Sequence, residues 1–209
     1  MASIGTRPSP RANEIEVSLF GPGFGECVVL HVGQGDWIIV DSCRDLDSHA
    51  PVAIAYLNQL GVNVDRSVRR VVATHWHDDH IDGIGQVFTE AGSAAFVCTG
   101  AFQHGDFKQL LQNYFGGAAA TGGSGVNELH SVFAEVARRQ QKAVSPALIL
   151  ASANTLIWER IGQLPASVRS LSPSTHDVLV GLGRIHSEQL FGQDELAGDC
   201  HLCTRMTCR

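Results

Sequence analysis

The residues best suited to chemistry are concentrated in one short segment, residues 74–83, which reads Thr-His-Trp-His-Asp-Asp-His-Ile-Asp-Gly. Side chains two positions apart in an extended chain point to the same side, so His75 and His77 can bind one metal ion together. If the chain then turns, Asp79 and His80 can reach a second ion beside the first. Imidazole and carboxylate ligands suit Zn²⁺, and also iron or manganese. We therefore interpret this segment, called the site loop below, as a metal site rather than as an ordinary polar surface loop.

The other residues of the site loop are predicted to support the ligands. Trp76 and Asp78 alternate with the ligands and should point away from them, Trp76 into packing and Asp78 into solvent or a contact that braces the loop. Asp82 and Gly83 stand where a helix is predicted to begin. Asp82 is a candidate cap of that helix, and Gly83 would allow a close approach of the backbone.

The elements before and after the site loop follow a recognisable order. Three upstream segments have the apolar patterning of strands, and the short turns between them indicate an antiparallel meander: 15–20, 26–32 and 36–41. The next segments alternate between helical and strand patterns: helix 51–60, strand 69–74, helix 83–90 and strand 95–99. The site loop is thus predicted to connect a buried strand to a helix.

The second half of the sequence has a weaker pattern. We predict three helices: one over 107–115, one that begins after an Asn127 cap, and one over 175–185. Short strands are predicted over 147–150, 155–158 and 168–171. Residues 116–125 are predicted to be a flexible glycine-rich loop, and they lack the Lys-Ser/Thr ending of a phosphate-binding P-loop. The domain organisation predicted is a disordered N-terminus over 1–14, one domain over 15–191 and an irregular tail over 192–209.

In this setting the pattern His-x-His-x-Asp-His resembles the metal-binding motif of the metallo-β-lactamase superfamily. Val32-Gly33-Gln34-Gly35-Asp36 is similar to the Gly-Gln-Gly-Asp hairpin in the metallo-β-lactamase-like domain of bacterial DNA-uptake channel proteins and their soluble relatives. The resemblance covers residues 15–100. It implies an α+β fold, the αβ/βα sandwich, with His75 and His77 on a first metal and Asp79 and His80 on a second.

The resemblance also implies roles for individual residues. Asp41 falls where the family keeps a strand-end aspartate that supports the metal loop from behind the ligands; a carboxylate that caps a turn is the alternative. Two zinc ions per complete site would share a water molecule and lower its pKa toward about 7. Asp79 would then be both a ligand and the catalytic proton acceptor. The predicted function is a metal-dependent hydrolase acting through a metal-activated water on a phosphodiester or another phosphorylated substrate, with lactam, thioester and lactone hydrolysis left open.

A complete site of this family takes a third histidine, a bridging aspartate and a last histidine from the second half of the sandwich. The downstream histidines are His104, His130, His176, His186 and His201. None stands at the end of a convincing strand, and His104 is the best local candidate for a ligand. We therefore expect an incomplete second half, with a truncated or frame-shifted tail. The alternative function is a non-catalytic metal-binding remnant or interaction module.

Cysteine placement and overall charge set further limits. Cys27, Cys43 and Cys98 lie singly in apolar segments and are predicted to be buried, reduced thiols. Cys200, His201, Cys203 and Cys208 could instead be zinc ligands, although one C-x-x-C pair is a weak signal. The formal net charge of −6 does not support nucleic acid as a partner, so a small-molecule or nucleotide-type substrate is expected. No secretory signal or apolar run of about 18 residues is present, which predicts a cytoplasmic protein without a membrane partner.

Overall fold

The computed structural model describes residues 8–75, 77–100, 125–142, 147–174 and 206–208. Its strands are β1 (Glu16–Gly23), β2 (Gly25–His31), β3 (Trp37–Val40), β4 (Val68–Val72), β5 (Ala95–Thr99), β6 (Leu148–Ala151), β7 (Leu156–Arg160), β8 (Ala166–Ser170) and β9 (Met206–Cys208). Its helices are α1 (Val52–Gln59), α2 (Val64–Ser67), α3 (Asp78–Ile81), α4 (Ile84–Glu90) and α5 (Gly125–Gln141). None of the described helices is long and apolar enough to cross a membrane.

A six-stranded sheet in the order β1-β2-β3-β4-β5-β6 forms the centre of the fold. Strands β1, β2 and β3 pair antiparallel, as the short turns predicted. Strands β3 to β6 pair parallel, because helical connections return the chain to the same edge each time. The parallel half is the part of the sheet that carries the site loop, which follows β4.

Helices cover one face of this sheet. Leu57 of α1, Phe88 of α4 and Leu129 of α5 are fully buried against Ile39 and Val71 of the sheet. The alternation of side chains along each strand sends the neighbouring residues to the opposite face. There Ile38, Val72 and Val97 pack against Ile157 and Val168 of a small antiparallel sheet, β7-β8-β9. The predicted α+β fold with a central sheet is thus confirmed.

Helix α5 is anchored on the end of α4 by Arg139, which a buried ion pair within α5 holds in place. Arg139 is 3% exposed and donates to the carbonyl oxygens of Phe88, Ala91 and Ala94, which end α4 or directly follow it. Its Nε lies 2.6 Å from Glu135 Oε1. Hydrogen bonding to Arg138 and Arg139 lowers the pKa of Glu135 to about 2, against the opposing effect of burial. The guanidinium therefore contacts carbonyl groups at the C-terminal end of α4 and in the segment that follows it.

Several boundaries differ from the sequence predictions. Residues 8–14, which we assigned to a disordered N-terminus, contact the domain: Ser9 Oγ donates to Leu60 O, and Gln34 N donates to Ala12 O. Gly125, assigned to the glycine-rich loop, begins α5, and Asn127 lies inside that helix rather than at its cap. Met206–Cys208 of the tail form β9, because pairing with β8 supplies partners that no local pattern reveals. Residues 101–124, with most of the glycine-rich loop, and 175–205 lie outside the described ranges.

The three cysteines in the described ranges agree with their prediction. Cys27, Cys43 and Cys98 are free and buried. Burial raises the pKa of Cys98 to about 12 and, with the charges of Asp82 and Glu26, raises that of Cys43 to about 11. These side chains are protonated, apolar parts of the core at neutral pH.

Candidate metal centre

The candidate site forms where two neighbouring parallel strands end. Asp41 follows β3 and Thr74 follows β4 after one intervening residue, and Asp41 N donates to Val72 O at 2.8 Å. The carboxyl ends of adjacent parallel strands meet at one edge of a sheet, and side chains from both can converge there. The site loop begins at this edge, which positions His75 directly beyond the sheet.

Hydrogen bonds join the residues after β3 to the site loop. Both carboxylate oxygens of Asp41 accept from Thr74, Oδ1 from its N–H at 2.8 Å and Oδ2 from its hydroxyl at 2.6 Å. Ser42 N donates to His80 O at 2.7 Å, and Ser42 Oγ donates to Asp82 O at 2.8 Å. Asp41 has a left-handed backbone conformation, with φ of 59°. Asp41 and Ser42 thus hold the loop at its start and near its end.

The predicted ligands come together in two overlapping groups. Donor atoms of His75, His77 and Asp79 all lie within 4.8 Å of one another, and so do donor atoms of Asp41, His75 and His80. Ligands bound about 2.1 Å from a shared zinc ion lie up to about 4.2 Å apart, so the donor atoms of each group are near the spacing that one cation requires. The donor set of imidazoles and carboxylates fits Zn²⁺, iron or manganese.

The two groups overlap with the pairs that the sequence predicts. Asp79 groups with His75 and His77, and His80 groups with Asp41 and His75. Asp79 Oδ2 and His80 Nε2, the pair expected on the second ion, lie 3.6 Å apart. The His75 and His80 rings are 3.7 Å apart between centroids, closer than the 5.1 Å between His75 and His77. The single helical turn of α3 explains this, because it rotates His80 back toward the sheet. The ligand roles of all four residues stay predictions.

Carboxylates dominate the electrostatics around His80. Its Nδ1 lies 3.0 Å from Asp41 Oδ2, and its Nε2 lies 3.6 Å from Asp79 Oδ2. Burial by itself lowers the pKa of His80, but the hydrogen bond to Asp41 and the charges of Asp41, Asp79 and Glu26 raise it above its usual range. Burial raises the pKa of Asp41, opposed by the hydrogen bonds from His80 and Thr74. The negative charge of these groups favours a bound cation.

Among the other residues of the site loop, the predictions for Asp78 and Gly83 are confirmed and the one for Asp82 is wrong. Asp78 braces the loop, because its Oδ1 accepts from Gly125 N at the start of α5. Gly83 has φ of 86°, and a Cβ there would lie 3.1 Å from Arg44 Cζ, so the expected close approach is confirmed. Asp82 as the cap of α4 is wrong, since its Oδ1 accepts from Arg44 Nε at 3.0 Å instead. Trp76 lies outside the described residues.

The cap of α4 comes from a distant residue that the sequence did not reveal. Glu128 of α5 accepts from Gly83 N at 3.0 Å and from Gly85 N at 2.9 Å. Arg44 NH2 lies 3.5 Å from Glu128 Oε1, which links the segment after β3 to the same carboxylate. A cap 45 positions away leaves no local sequence signal, so only the fold could identify it.

Further ligands are not found in the part of the chain that the structure describes. There, the two overlapping groups above are the only sets of three or more histidine, cysteine, aspartate or glutamate side chains that could hold a metal. His130 is exposed on α5 and belongs to neither group. His104, His176, His186 and His201 lie outside the described residues, as do the side chains of Cys200, Cys203 and Cys208.

Comparisons with known proteins give structural similarities only. No protein-family model matches the sequence, and no curated protein does. The structure is similar to a B3 metallo-β-lactamase with an active-site glutamic acid, at 18% identity and a TM-score of 0.41, over 73% of this chain and 47% of that one. It is also similar to a metallo-β-lactamase from Novosphingobium pentaromativorans, at 17% identity and a TM-score of 0.39, over 78% of this chain and 51% of that one. A β-lactamase domain protein from Burkholderia ambifaria matches at 17% identity and a TM-score of 0.37, over 81% of this chain and 51% of that one. The chain spans about half the length of these structures.

Proposed function

We propose that this protein is a metal-dependent hydrolase acting through a metal-activated water on a phosphodiester or another phosphorylated substrate. The observation that carries the proposal is the convergence of four predicted ligands at one sheet edge, with His75 common to both donor groups. Bound zinc would supply Lewis acidity and lower the pKa of a water molecule. The protein's own part is to hold the ligands, orient them and accept a proton.

Each of those tasks has a structural basis. His75, His77 and Asp79 form the more exposed donor group, with His77 facing solvent, so a substrate can approach from that side. The Asp79 side chain is 45% exposed and stands beside the ligands, which suits it to accept a proton. Asp41 is 4% exposed and bonds to both Thr74 and His80. These contacts favour the proposed role of Asp41 in supporting the metal loop over that of a simple turn cap.

The proposal of a phosphorylated substrate rests on the family resemblance of the Gly-Gln-Gly-Asp hairpin and not on a contact within the site. The turn at Gln34 and Gly35 precedes β3, whereas Asp41 follows β3, so the turn lies at the opposite end of that strand from the site. Arg160 donates there to the carbonyl oxygens of Val32 and Gly33, which gives the hairpin a structural role. Substrate class therefore has to be decided by assay.

Metal content measured together with turnover tests the proposal. Protein purified without chelator is analysed element by element and assayed on bis(p-nitrophenyl) phosphate. The His77→Ala variant and the control His130→Ala, which changes an exposed residue of α5, are measured in the same way. We expect two ions per chain with phosphodiester hydrolysis, both lowered by His77→Ala and unchanged by His130→Ala. One loosely held ion or none, without turnover, would favour the non-catalytic alternative. Full metal occupancy in His77→Ala would contradict the ligand assignment.

A further inference from the structure

The start of β2 lies directly against the site loop. Gly25 has φ of 92°, and a Cβ at this position would come within 2.7 Å of the Asp79 carbonyl oxygen and 3.0 Å of Cys43 Cβ. Only glycine fits such a contact without displacing one of the two backbones. The approach brings the next residue of the strand, Glu26, beside His80.

Glu26 and Asp41 both lie close to the same ring nitrogen of His80, Nδ1. Glu26 Oε1 lies 3.4 Å from His80 Nδ1, and Asp41 Oδ2 lies 3.0 Å from the same atom. The two carboxylates approach from different environments, since the Glu26 side chain is 57% exposed and that of Asp41 is 5% exposed. The other ring nitrogen, Nε2, faces Asp79.

We propose that Glu26 is a positioning residue of the metal centre, which assists Asp41 in holding His80 so that Nε2 faces the ligand group. Ionised carboxylates only accept hydrogen bonds, so both favour a proton on Nδ1 and leave the Nε2 lone pair for a ligand. If the His80 imidazole flipped, Nδ1 would lose its contacts with both Glu26 and Asp41. Partners of this kind, which fix the tautomer and the ring orientation, are worth about 10- to 100-fold in metal affinity. The inference rests on the proposed metal site.

Zn²⁺ titration of the full chain tests this role, with Glu26→Ala, Glu26→Gln and the matched control Glu90→Ala. Glu90 is an exposed glutamate of α4 that bonds to Gln86. We expect Glu26→Ala to raise the Zn²⁺ dissociation constant about 10-fold. Glu26→Gln retains an oxygen acceptor and should restore part of the loss, whereas Glu90→Ala should not change the affinity.

A second measurement separates positioning from a general effect of charge. The ring ¹⁵N shifts of His80 are recorded in metal-free wild-type and variant chains, at a pH where the ring is neutral. Glu26→Ala should reduce the fraction protonated at Nδ1, and Glu90→Ala should not. Unchanged nitrogen shifts and unchanged Zn²⁺ affinity in Glu26→Ala would overturn the inference. If the wild-type chain binds no Zn²⁺, the proposed function fails, and the nitrogen shifts alone decide the role of Glu26.

Discussion

Asp41 and His80 are 39 positions apart in the sequence, yet Asp41 Oδ2 lies 3.0 Å from His80 Nδ1. The same carboxylate accepts from the N–H and the hydroxyl of Thr74, so three donors converge on one buried group. A buried carboxylate is stable only when its oxygens have such partners. The orientation of His80 and the start of the site loop therefore depend on one side chain.

Asp41→Asn should weaken both metal binding and the fold. The new amide NH₂ would face either the Thr74 backbone N–H, at the Oδ1 position, or the Thr74 hydroxyl and His80 Nδ1–H, at the Oδ2 position, and two donors cannot satisfy each other. We expect a Zn²⁺ dissociation constant raised about 10- to 100-fold, with a loss of about 1–3 kcal/mol in the free energy of unfolding. Isothermal titration and urea denaturation measure the two effects.

Asp47→Asn is the control for that substitution, because Asp47 is exposed in the turn after β3. It makes the same chemical change a few residues from the site, and both quantities should stay at their wild-type values. Equal Zn²⁺ affinity in Asp41→Asn and Asp47→Asn would show that Asp41 does not orient a ligand.

A candidate site can be predicted from the sequence because its residues lie close together in the chain. His75, His77, Asp79 and His80 fall within six positions, and the strand and helix around them have clear periodicity. The strand over 95–99 was placed with its observed bounds, since a continuous apolar run marks a buried parallel strand.

The contacts that support the site could not be predicted in the same way. Glu26 and Glu128 reach the site loop from β2 and α5, and only the three-dimensional fold shows that these elements are neighbours. Similarly, the helical turn of α3 places His80 Nδ1 3.0 Å from Asp41 Oδ2, a contact between residues 39 positions apart in the sequence. Residue types and spacing therefore indicate the candidate ligands, and tertiary packing determines which side chains support them.

Gly25→Ala should disturb the site loop, and Gly35→Ala provides its matched control. Both glycines have positive φ, 92° and 78°, so alanine is strained at each by about 1 kcal/mol. A Cβ at Gly25 meets the Asp79 carbonyl oxygen at 2.7 Å, whereas a Cβ at Gly35 meets nothing within 4 Å. We expect Gly25→Ala to lose about 1–3 kcal/mol more than Gly35→Ala in chemical denaturation, and to lower Zn²⁺ affinity. Equal losses in the two variants would contradict the close packing of β2 on the site loop.

Glu128→Gln should loosen the start of α4. The carboxylate accepts from two backbone N–H groups, at Gly83 and Gly85, whereas an amide offers one oxygen and presents a donor to the second. The expected loss is about 1 kcal/mol of unfolding free energy, together with faster hydrogen exchange at the Gly85 amide. Glu90→Gln, at the exposed end of the same helix, should cost less than about 0.5 kcal/mol. Unaltered exchange at Gly85 would show that Glu128 does not cap the helix.

Stability should fall in acid partly through the ion pair within α5 that holds Arg139 in place. The pKa of Glu135 is lowered from its ordinary value of 4.5 to about 2, chiefly by hydrogen bonding to Arg138 and also to Arg139. A depressed carboxyl pKa contributes stability that is fully present above the unfolded-state value and is lost as pH falls through the folded-state value. The contribution should therefore be complete above pH 4.5 and decline from there toward about pH 2.

Glu135→Gln makes this contribution measurable as a difference. At pH 7 the variant should be less stable by about 2 kcal/mol, because Arg139 stays buried with its charge only partly compensated. Below pH 4.5 the wild-type carboxyl also becomes neutral, so the difference between the two unfolding free energies should shrink steadily toward pH 2. Urea denaturation at a series of pH values gives this difference, and Glu90→Gln should track the wild type throughout. If the difference in unfolding free energy stays constant from pH 7 to pH 2, protonation of Glu135 is not linked to folding. Helix α5 would then be held on α4 by apolar packing and the carbonyl contacts of Arg139 alone.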